Sequence, residues 1–448
     1  MRGKFYEPPI DEYLPQNGNR GYRVSRYELD LVYKVASNRL AGRAEITAVS
    51  TEARDLFALD LSQSLTVAKV FVNGSKAARY THRNGKLVIT PAQRIPAGGA
   101  LVLVVQYAGV PKPVRGLWGE VGWEELTEGA LVASQPNGAA SWFPCDDHPS
   151  SKASYRISIT TDSPFYALAN GKLLRKQTKA SQTTWVYEQT EPMASYLATI
   201  QIGPYQKYRV GSVSSAVPMH AVLPARLRAD FEHDFARQPE MMALFTERFG
   251  PYPFESYTVV VTGDELEIPI EAQGLSIFGA NHCDGRRGAE RLVAHELAHQ
   301  WFGNSLTIRQ WRDIWLHEGF ACYAEWIWSE AAGGPTADQQ ARAARHNLAR
   351  QPQDIVVGDP GPRWMFDDRV YKRGALTLHA LRLELGDAAF FDLLRDWTTR
   401  YRHASVGTEE FTDLAAHYTP APLRALWDGW LRREQLPALP PPRRQDTR

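Results

Sequence analysis

The chain has 448 residues, of which 44% are hydrophobic and 23% charged, as in ordinary soluble proteins with two or three domains. A net charge of +1 gives no reason to expect a nucleic-acid partner. No run approaches the roughly 18 apolar residues of a membrane span, and the N-terminus lacks the apolar core of a signal peptide. Three cysteines are too few for a disulfide framework, so we interpret them as structural. We therefore expect a cytoplasmic protein that binds neither nucleic acid nor membrane.

Short strands and turn signals dominate the first half of the chain. Tyr27–Tyr33 alternates apolar and polar residues with period two. Asn73-Gly74 and Asn84-Gly85 are dipeptides typical of tight hairpins, and Asn170-Gly171 repeats the signal. We predict one all-β domain over 1–214, built as a large curved sheet or sandwich.

The second half changes to helical spacing. We predict a strand over Tyr257–Val261 and three helices, over Arg228–Phe249, Arg286–Phe302 and Asp313–Glu330. The predicted domain, 215–435, is rich in helices and contains a small sheet. Residues 436–448 are rich in proline and arginine and are predicted to be a disordered tail. The fold class is therefore α+β, with the β domain first.

The chemistry of the chain centres on the sequence HELAH. His295 and His299 are four residues apart, so on a helix both imidazoles project from one face and can reach one Zn²⁺. Glu296 lies between them, where a carboxylate can act as general base on a water. Glu318, on the next predicted helix, offers the third ligand. The alternative is a chance HExxH on a surface helix, and the glutamate on the second helix argues against it.

The residues around HELAH separate classes of zinc hydrolase. A metzincin would have Gly at the position of Phe302 and His at that of Ser305, so that class is excluded. A glutamate ligand on a following helix fits the gluzincin class. His317 and the pair His282-Cys283 are weaker ligand candidates, and we interpret them as structural.

Two longer segments resemble a known family. HELAHQWFGNSLT (295–307) and DIWLHEGFA (313–321) are similar to the signature of the zinc aminopeptidases that include alanyl aminopeptidases and leukotriene-hydrolase-type enzymes. Four further segments resemble parts of that family in the same order: 134–147, 193–197, 271–275 and 371–374. The resemblance implies an N-terminal β-saddle domain, a thermolysin-like catalytic domain, and a short form that lacks the family's further C-terminal domains.

The resemblance also implies roles for individual residues. Tyr371, in a segment like the family's Tyr-x-Lys-Gly, would stabilise the oxyanion with its hydroxyl. Glu271, followed by Gly274 in the family register, would bind the substrate's free α-ammonium. Gln135 would line the pocket for the first side chain of the substrate. Asn137 stands two residues later, where many relatives carry an acid, which would leave Glu271 as the only carboxylate that binds the amine.

Some residues depart from the family pattern. Ala272 replaces an asparagine, Arg373 replaces a lysine, and Ile268-Pro269-Ile270 is bulkier than the family's Gly-Ala-Met. From sequence alone, Glu265 and Glu267 compete with Glu271 for the amine.

The predicted function is a zinc aminopeptidase that binds one Zn²⁺ and peptides with a free N-terminus. Three alternatives stay open: an endopeptidase, an epoxide hydrolase, or a non-catalytic interaction scaffold.

Overall fold

The computed structural model describes residues 10–212 and 216–440, which divide into two compact units after Ile202. The predicted boundary, at 214/215, falls on residues outside the described ones. The division lies earlier because strand β17 (Tyr205–Val210) pairs along its length with β18 (Met219–Pro224) of the second unit.

The first unit consists mainly of β-strands, with burial alternating along them as expected for sheets with one covered face. The strands not yet named are β1 (Tyr22–Lys34), β2 (Arg39–Ser50), β3 (Phe57–Asp60), β4 (Leu65–Val72), β5 (Ser75–Lys76), β6 (Arg79–Arg83), β7 (Lys86–Thr90), β8 (Ala100–Gly109), β9 (Val114–Gly116), β10 (Gly119–Leu126), β11 (Gly129–Ala133), β12 (Lys152–Asp162), β13 (Tyr166–Ala169), β14 (Lys172–Lys179), β15 (Gln182–Ala194) and β16 (Ile200–Gly203). Their sheets have the spatial orders β14-β15-β12-β1-β2-β8-β4-β5, β13-β16-β11-β10-β9 and β3-β7-β6.

Two of the three hairpin predictions in this unit are confirmed. Asn73-Gly74 turns β4 into β5, and Asn84-Gly85 turns β6 into β7, each with positive φ at both residues. Asn170-Gly171 is not a hairpin, because it joins β13 to β14, which belong to different sheets. The Asn170 side chain instead donates to the Leu197 carbonyl and accepts from the Thr199 N–H.

The second unit combines a small sheet with helices. The sheet has the order β17-β18-β19-β21-β20, and β22 pairs with β23 beside it. The remaining strands are β19 (Tyr257–Val261), β20 (Ile270–Ala272), β21 (Leu275–Phe278), β22 (Thr307–Ile308) and β23 (Ser405–Val406). The α-helices of the described residues are α1 (Arg228–Asp234), α2 (Gln238–Phe249), α3 (Glu290–Ala298), α4 (Trp315–Ala331), α5 (Ala337–Leu348), α6 (Asp368–Leu385), α7 (Asp387–Arg400), α8 (Thr408–Ala415) and α9 (Arg424–Leu431). The α+β prediction, with the β domain first, is confirmed.

The predicted helix bounds need correction in two places. The single helix predicted over Arg228–Phe249 is two helices, α1 and α2, because the chain leaves helical geometry at Phe235 and restarts with a proline in the first turn of α2. The helix predicted over Arg286–Phe302 is shorter at both ends. Arg287 has positive φ ahead of α3, and His299 caps its C-terminus. Among the described helices, none is both long and apolar enough to cross a membrane.

Helices α4 and α6 approach each other most closely at two glycines. A Cβ placed on Gly319 would lie 2.8 Å from the Cα of Gly374, and one on Gly374 would meet Gly319 at the same distance. Neither position therefore tolerates a side chain without a shift of one helix. Gly319 follows Glu318 directly, so this crossing fixes where that carboxylate lies relative to α6.

Arg373 ties α6 to the last described part of the chain. Its buried guanidinium donates to backbone carbonyls of Gly429, Trp430, Arg433, Glu434 and Gln435. Burial lowers the pKa of Arg373 to about 10. The ordered chain continues past 435: Leu436 donates to the Gln353 side chain, and Arg345 donates to the Pro437 carbonyl. Of the predicted disordered tail, residues 441–448 lie outside the described ones.

The first unit buries several carboxyl groups with one lysine. Asp60 is paired with a cation: Lys86 Nζ lies 2.5 Å from its Oδ1. Asp147 instead accepts a hydrogen bond from the neutral Ser195 hydroxyl, at 2.7 Å. The other oxygen of Asp147 has no hydrogen-bond partner among the described residues. Burial, followed by repulsion from Asp60, raises the pKa of Asp147 to about 8.

We expect Gly319→Ala to lower the free energy of unfolding by about 1–3 kcal/mol, because the added methyl overpacks the crossing of α4 and α6. This loss of stability has the opposite sign to the effect of helix propensity alone, because alanine stabilises a helix interior relative to glycine. Gly288→Ala is the matched control, because a Cβ there meets nothing within 4 Å. Urea unfolding of both variants measures the difference, and equal stability of the two would contradict a tight crossing.

We expect Asp147→Asn to stabilise the protein more at pH 8 than at pH 5. The folded pKa of Asp147 lies above the ordinary value of about 3.9, so the folded state holds the proton more tightly and loses stability as pH rises between the two values. Asparagine stays neutral, so its advantage over the wild type should grow by at least about 1 kcal/mol from pH 5 to pH 8. Urea unfolding at both pH values is the measurement; a pH-independent difference would show that Asp147 is ionised throughout.

Candidate metal centre

Helix α3 presents two buried imidazoles on one face. His295 is 7% exposed and His299 1%, and their ring centroids lie 4.8 Å apart. His299 is the C-terminal cap residue of α3 and keeps helical backbone angles, so the i, i+4 relation holds across the helix end.

Glu318, near the start of α4, completes a set of three possible ligands. Its Oε2 lies 3.4 Å from Nε2 of His295 and 3.4 Å from Nε2 of His299. Burial opposes the charge of Glu318, but the positive charge of His299 and hydrogen bonds from both histidines lower the pKa of the carboxyl well below its usual range. Two imidazole nitrogens and one ionised carboxylate form the donor set of a catalytic zinc site.

The hydrogen bonds made by the two Nδ1 atoms show whether these three side chains can hold zinc. Nδ1 of His295 donates to Glu325 Oε1 at 2.7 Å, and Nδ1 of His299 donates to the Phe302 carbonyl at 3.0 Å. Both Nε2 atoms are thereby left as the ligand atoms, and the outer partners orient both rings, as zinc histidines require. The residues present fit one zinc ion held by His295, His299 and Glu318.

Glu296 lies beside this set, and one of its carboxylate oxygens is buried and unpartnered among the described residues. Glu296 is 4% exposed, and its Oε2 is buried with no hydrogen-bond partner among the described residues. Burial is the largest cause that raises the pKa of this carboxyl. One of the two Glu296 oxygens, one Glu271 oxygen and one His299 nitrogen all lie within 4.8 Å of one another. An unpartnered carboxylate oxygen in this place can accept a proton from a water.

Strand β20 brings Glu271 to the same cluster. Glu271 is 7% exposed, whereas its competitors from the sequence, Glu265 and Glu267, are both exposed to solvent. Burial raises the pKa of Glu271. Of the three glutamates that compete for the amine, Glu271 is therefore the buried one with an oxygen within 4.8 Å of a His299 nitrogen.

The segment that follows HELAH holds β20 in place. Gln300 donates to the carbonyls of Ala272 and Leu275 and accepts from the N–H of Gly274 at 2.8 Å. Asn304 donates to the same Ala272 carbonyl at 2.9 Å. Gly274 has φ +76°, which glycine adopts without strain, so it forms the turn between β20 and β21.

Tyr371, in the first turn of α6, contacts the cluster from the side of His295. Its ring is stacked against that of His295, with centroids 6.1 Å apart and planes 14° apart. Burial raises the pKa of its hydroxyl well above the usual value, so Tyr371 remains a proton donor at neutral pH.

Three functional positions were not found from the sequence: Glu325, Gln300 and Asn304. Glu325 lies seven residues after Glu318 on α4, so both carboxylates face α3. This seven-residue spacing could have predicted from the sequence that Glu325 faces the same helix as Glu318. Gln300 and Asn304 act on a strand far along the chain, and no local pattern indicates such partners.

The remaining predicted candidates make the following contacts within their own units. His317 accepts the Ile308 N–H through Nε2, at 3.0 Å, and Cys283 contacts the Leu227 carbonyl, so both belong to the packed interior. Gln135 and Asn137 lie in the loop that follows β11 of the first unit, where Asn137 donates to the Asn17 side chain at 3.2 Å.

Two family models and several known proteins match the chain. The Peptidase M1 N-terminal domain matches residues 24–197, and the Peptidase family M1 domain matches residues 234–430. Aminopeptidase M1-D of Oryza sativa subsp. japonica is 25% identical over 92% of this chain and 50% of that protein. The chain spans about half the length or less of the curated relatives it matches.

Solved structures match over the whole fold. An M1 zinc metallopeptidase mutant from Deinococcus radiodurans, bound to the substrate Tyr-Ser-Ala, has a TM-score of 0.89 at 28% identity, covering 97% of this chain and 100% of that one. Native yeast LTA4 hydrolase shares the fold, with a TM-score of 0.81 at 21% identity over 98% of this chain and 72% of that one. These neighbours and the family models imply zinc as the cofactor, and the chain belongs to peptidase family M1.

Proposed function

We propose that the protein is a zinc metallo-aminopeptidase that removes N-terminal residues from peptides. The observation that carries the proposal is the buried Glu271, whose carboxylate lies within 4.8 Å of ligand atoms of Glu296 and His299. A carboxylate beside the reacting atoms can pair with a free α-ammonium, and an endopeptidase has no use for such a group. The named aminopeptidases among the relatives support the same reaction class.

Glu296 performs the proton transfers of hydrolysis. When bound by the three donors, zinc acts as a Lewis acid and lowers the pKa of water to about 7. Glu296 accepts the proton of the attacking water at its unpartnered oxygen and later delivers it to the departing amine. Its burial keeps competing water away from that oxygen.

Tyr371 and Glu271 bind the substrate on either side of the reacting carbonyl. The Tyr371 hydroxyl stays protonated and donates to the oxygen that becomes negative in the transition state. The Glu271 carboxylate pairs with the α-ammonium and thereby fixes which peptide bond reaches the metal ligands. The contact of Gln135 with the first side chain and the part of Asn137 in amine recognition remain predictions.

The substrates are peptides with a free N-terminus. The net charge of +1 supports peptides over nucleic acids as partners. Cys145, Cys283 and Cys322 are buried unpaired thiols, which supports a cytoplasmic location.

We expect Glu271→Ala to raise KM for aminoacyl anilides and free-amine peptides roughly 10- to 100-fold, because an ion-paired hydrogen bond is worth about 1.5–3 kcal/mol. Glu267→Ala is the matched control and should leave KM unchanged, because Glu267 is solvent-exposed. Steady-state kinetics on both variants measure the effect.

Glu296→Gln should lower kcat at least roughly 10³-fold with zinc content retained, because an amide cannot accept the proton.

Rapid cleavage of N-acetylated peptides by the wild type, with no preference for free amines, would refute the aminopeptidase function.

We expect Glu325→Gln to weaken zinc binding roughly 10- to 100-fold, because the charged partner of His295 Nδ1 is lost. Glu330→Gln, on the exposed part of the same helix, should bind zinc like the wild type. Chelator competition with metal readout distinguishes them, and equal affinities would show that Glu325 does not support the metal.

A further inference from the structure

Glu325 connects the metal centre to the wall of a cavity of about 570 Å³ in the second unit. Its side chain is 3% exposed, and its Oε1 accepts both from His295 Nδ1, at 2.7 Å, and from Arg291 Nη1, at 2.9 Å. The other oxygen, Oε2, is buried with no hydrogen-bond partner among the described residues. The orientation of this carboxylate therefore depends on two donors that share one atom.

The two donors lie one turn apart on the same helix. Arg291 and His295 are residues i and i+4 of α3, so both side chains can reach the same residue of α4. A buried carboxylate is costly unless a cation compensates its charge and hydrogen-bonds to it. A histidine that binds a metal is neutral, so His295 supplies a hydrogen bond but no such charge. Arg291 supplies both.

Arg291 is committed to this contact. Its guanidinium makes a single hydrogen bond among the described residues, the one to Glu325, although the side chain is 58% exposed at the cavity wall. A solvent-exposed arginine gains little from an ordinary surface ion pair, whereas here the acceptor is a buried carboxylate. The contact therefore serves the carboxylate more than the arginine.

Lys372 adds a second positive charge but no hydrogen bond to this carboxylate. Its Nζ lies 3.9 Å from Glu325 Oε2 and contacts Cys322 Sγ at 3.3 Å. Lys372 can therefore compensate the charge of Glu325 without fixing its orientation.

Arg237 is the third cation that lines the cavity, and it is engaged elsewhere. Its Nη1 pairs with Glu290 at 3.0 Å, and its guanidinium lies over the Trp328 ring. Among the described cations of the cavity wall, Arg291 is thus the one that hydrogen-bonds to Glu325.

We propose that Arg291 is a positioning residue for the metal centre, which holds the Glu325 carboxylate against Nδ1 of His295. Because that hydrogen bond orients the imidazole, fixing the carboxylate keeps Nε2 of the ring directed at the position of the metal. The inference rests on the zinc site of His295, His299 and Glu318, and not on which substrate is cleaved.

The sign of the effect on zinc binding distinguishes positioning from charge alone. Arg291 is positive and lies near the site of a dication, so repulsion alone predicts that its removal tightens zinc binding. Positioning predicts the opposite. We expect Arg291→Gln to raise the zinc dissociation constant about 10-fold, the lower end of the effect of losing a direct outer partner of a ligand. Arg291→Lys, which keeps a charged donor, should stay within about 3-fold of the wild type.

Chelator competition with metal readout, on the full chain at neutral pH, measures these constants without substrate. Arg237→Gln is the matched control: it removes the same charge from the same cavity wall and should bind zinc like the wild type. Urea unfolding of the zinc-free proteins checks the fold, and because Arg291 is mostly exposed we expect Arg291→Gln to unfold like the wild type.

A double variant tests whether Arg291 acts through Glu325. In the Glu325→Gln background, Arg291→Gln should change the zinc dissociation constant by less than about 2-fold, because the carboxylate to be positioned is gone. Zinc binding by the Arg291→Gln single variant as tight as that of the wild type, or tighter, would overturn the positioning role. A 10-fold loss that persists in the Glu325→Gln background, about as large as in the single variant, would overturn it as well.

These outcomes are separate from the proposed function. A wild type that binds no zinc would overturn the positioning role together with the metal site. A wild type that binds zinc but does not cleave free-amine peptides would remove the aminopeptidase activity and leave the effect of Arg291→Gln on zinc binding as expected.

Discussion

The contact between Gly319 and Gly374 sets the geometry on which the metal centre depends. A Cβ placed on either glycine would lie 2.8 Å from the Cα of the other, so α4 and α6 cross backbone to backbone. Glu318 precedes the first glycine, and Tyr371 lies one turn before the second. The proposed metal ligand Glu318 and the proposed oxyanion donor Tyr371 are thus positioned by one crossing. Interior glycines weaken helices by about 1 kcal/mol each, and the close packing offsets that cost.

The turn after HELAH likewise connects two parts of the proposed site, the histidines and the hairpin that carries Glu271. Gln300 and Asn304 hydrogen-bond to backbone of the hairpin that carries Glu271, while His295 and His299 lie directly before them. The distance between amine site and metal site is therefore set within one short stretch of chain. Groups held on packed helices and strands keep the alignment that catalysis requires better than groups on loops.

How far the sequence predicts this protein depends on the range of each interaction. His295 and His299 follow from helical spacing, because i and i+4 always share a face. Glu318 required a second helix at a known spacing, and Glu271 required the family resemblance. Helix ends were predicted less well, because caps and positive φ values, such as that of Arg287, depend on tertiary contacts.

The partners of Gln300 could not be predicted, because they lie more than twenty residues away in a different element. The same holds for Asn170, whose Asn-Gly dipeptide has hairpin composition but whose side chain is captured by residues 197–199. In both cases a tertiary hydrogen bond outweighs the local signal.

The hydrogen bonds of Arg373 affect how this part of the protein unfolds locally. Its guanidinium gathers carbonyls from 429–435, and it lies two residues from Tyr371 on the same helix. Releasing that segment would leave the buried guanidinium with the Ile355 carbonyl, at 3.4 Å, in place of five acceptors, and we expect this loss to loosen the first turns of α6 as well. Amide exchange at 429–435 and at the start of α6 is therefore coupled into one cooperative unit. We therefore expect the position of the Tyr371 hydroxyl to depend on the hydrogen bonds between Arg373 and residues 429–435.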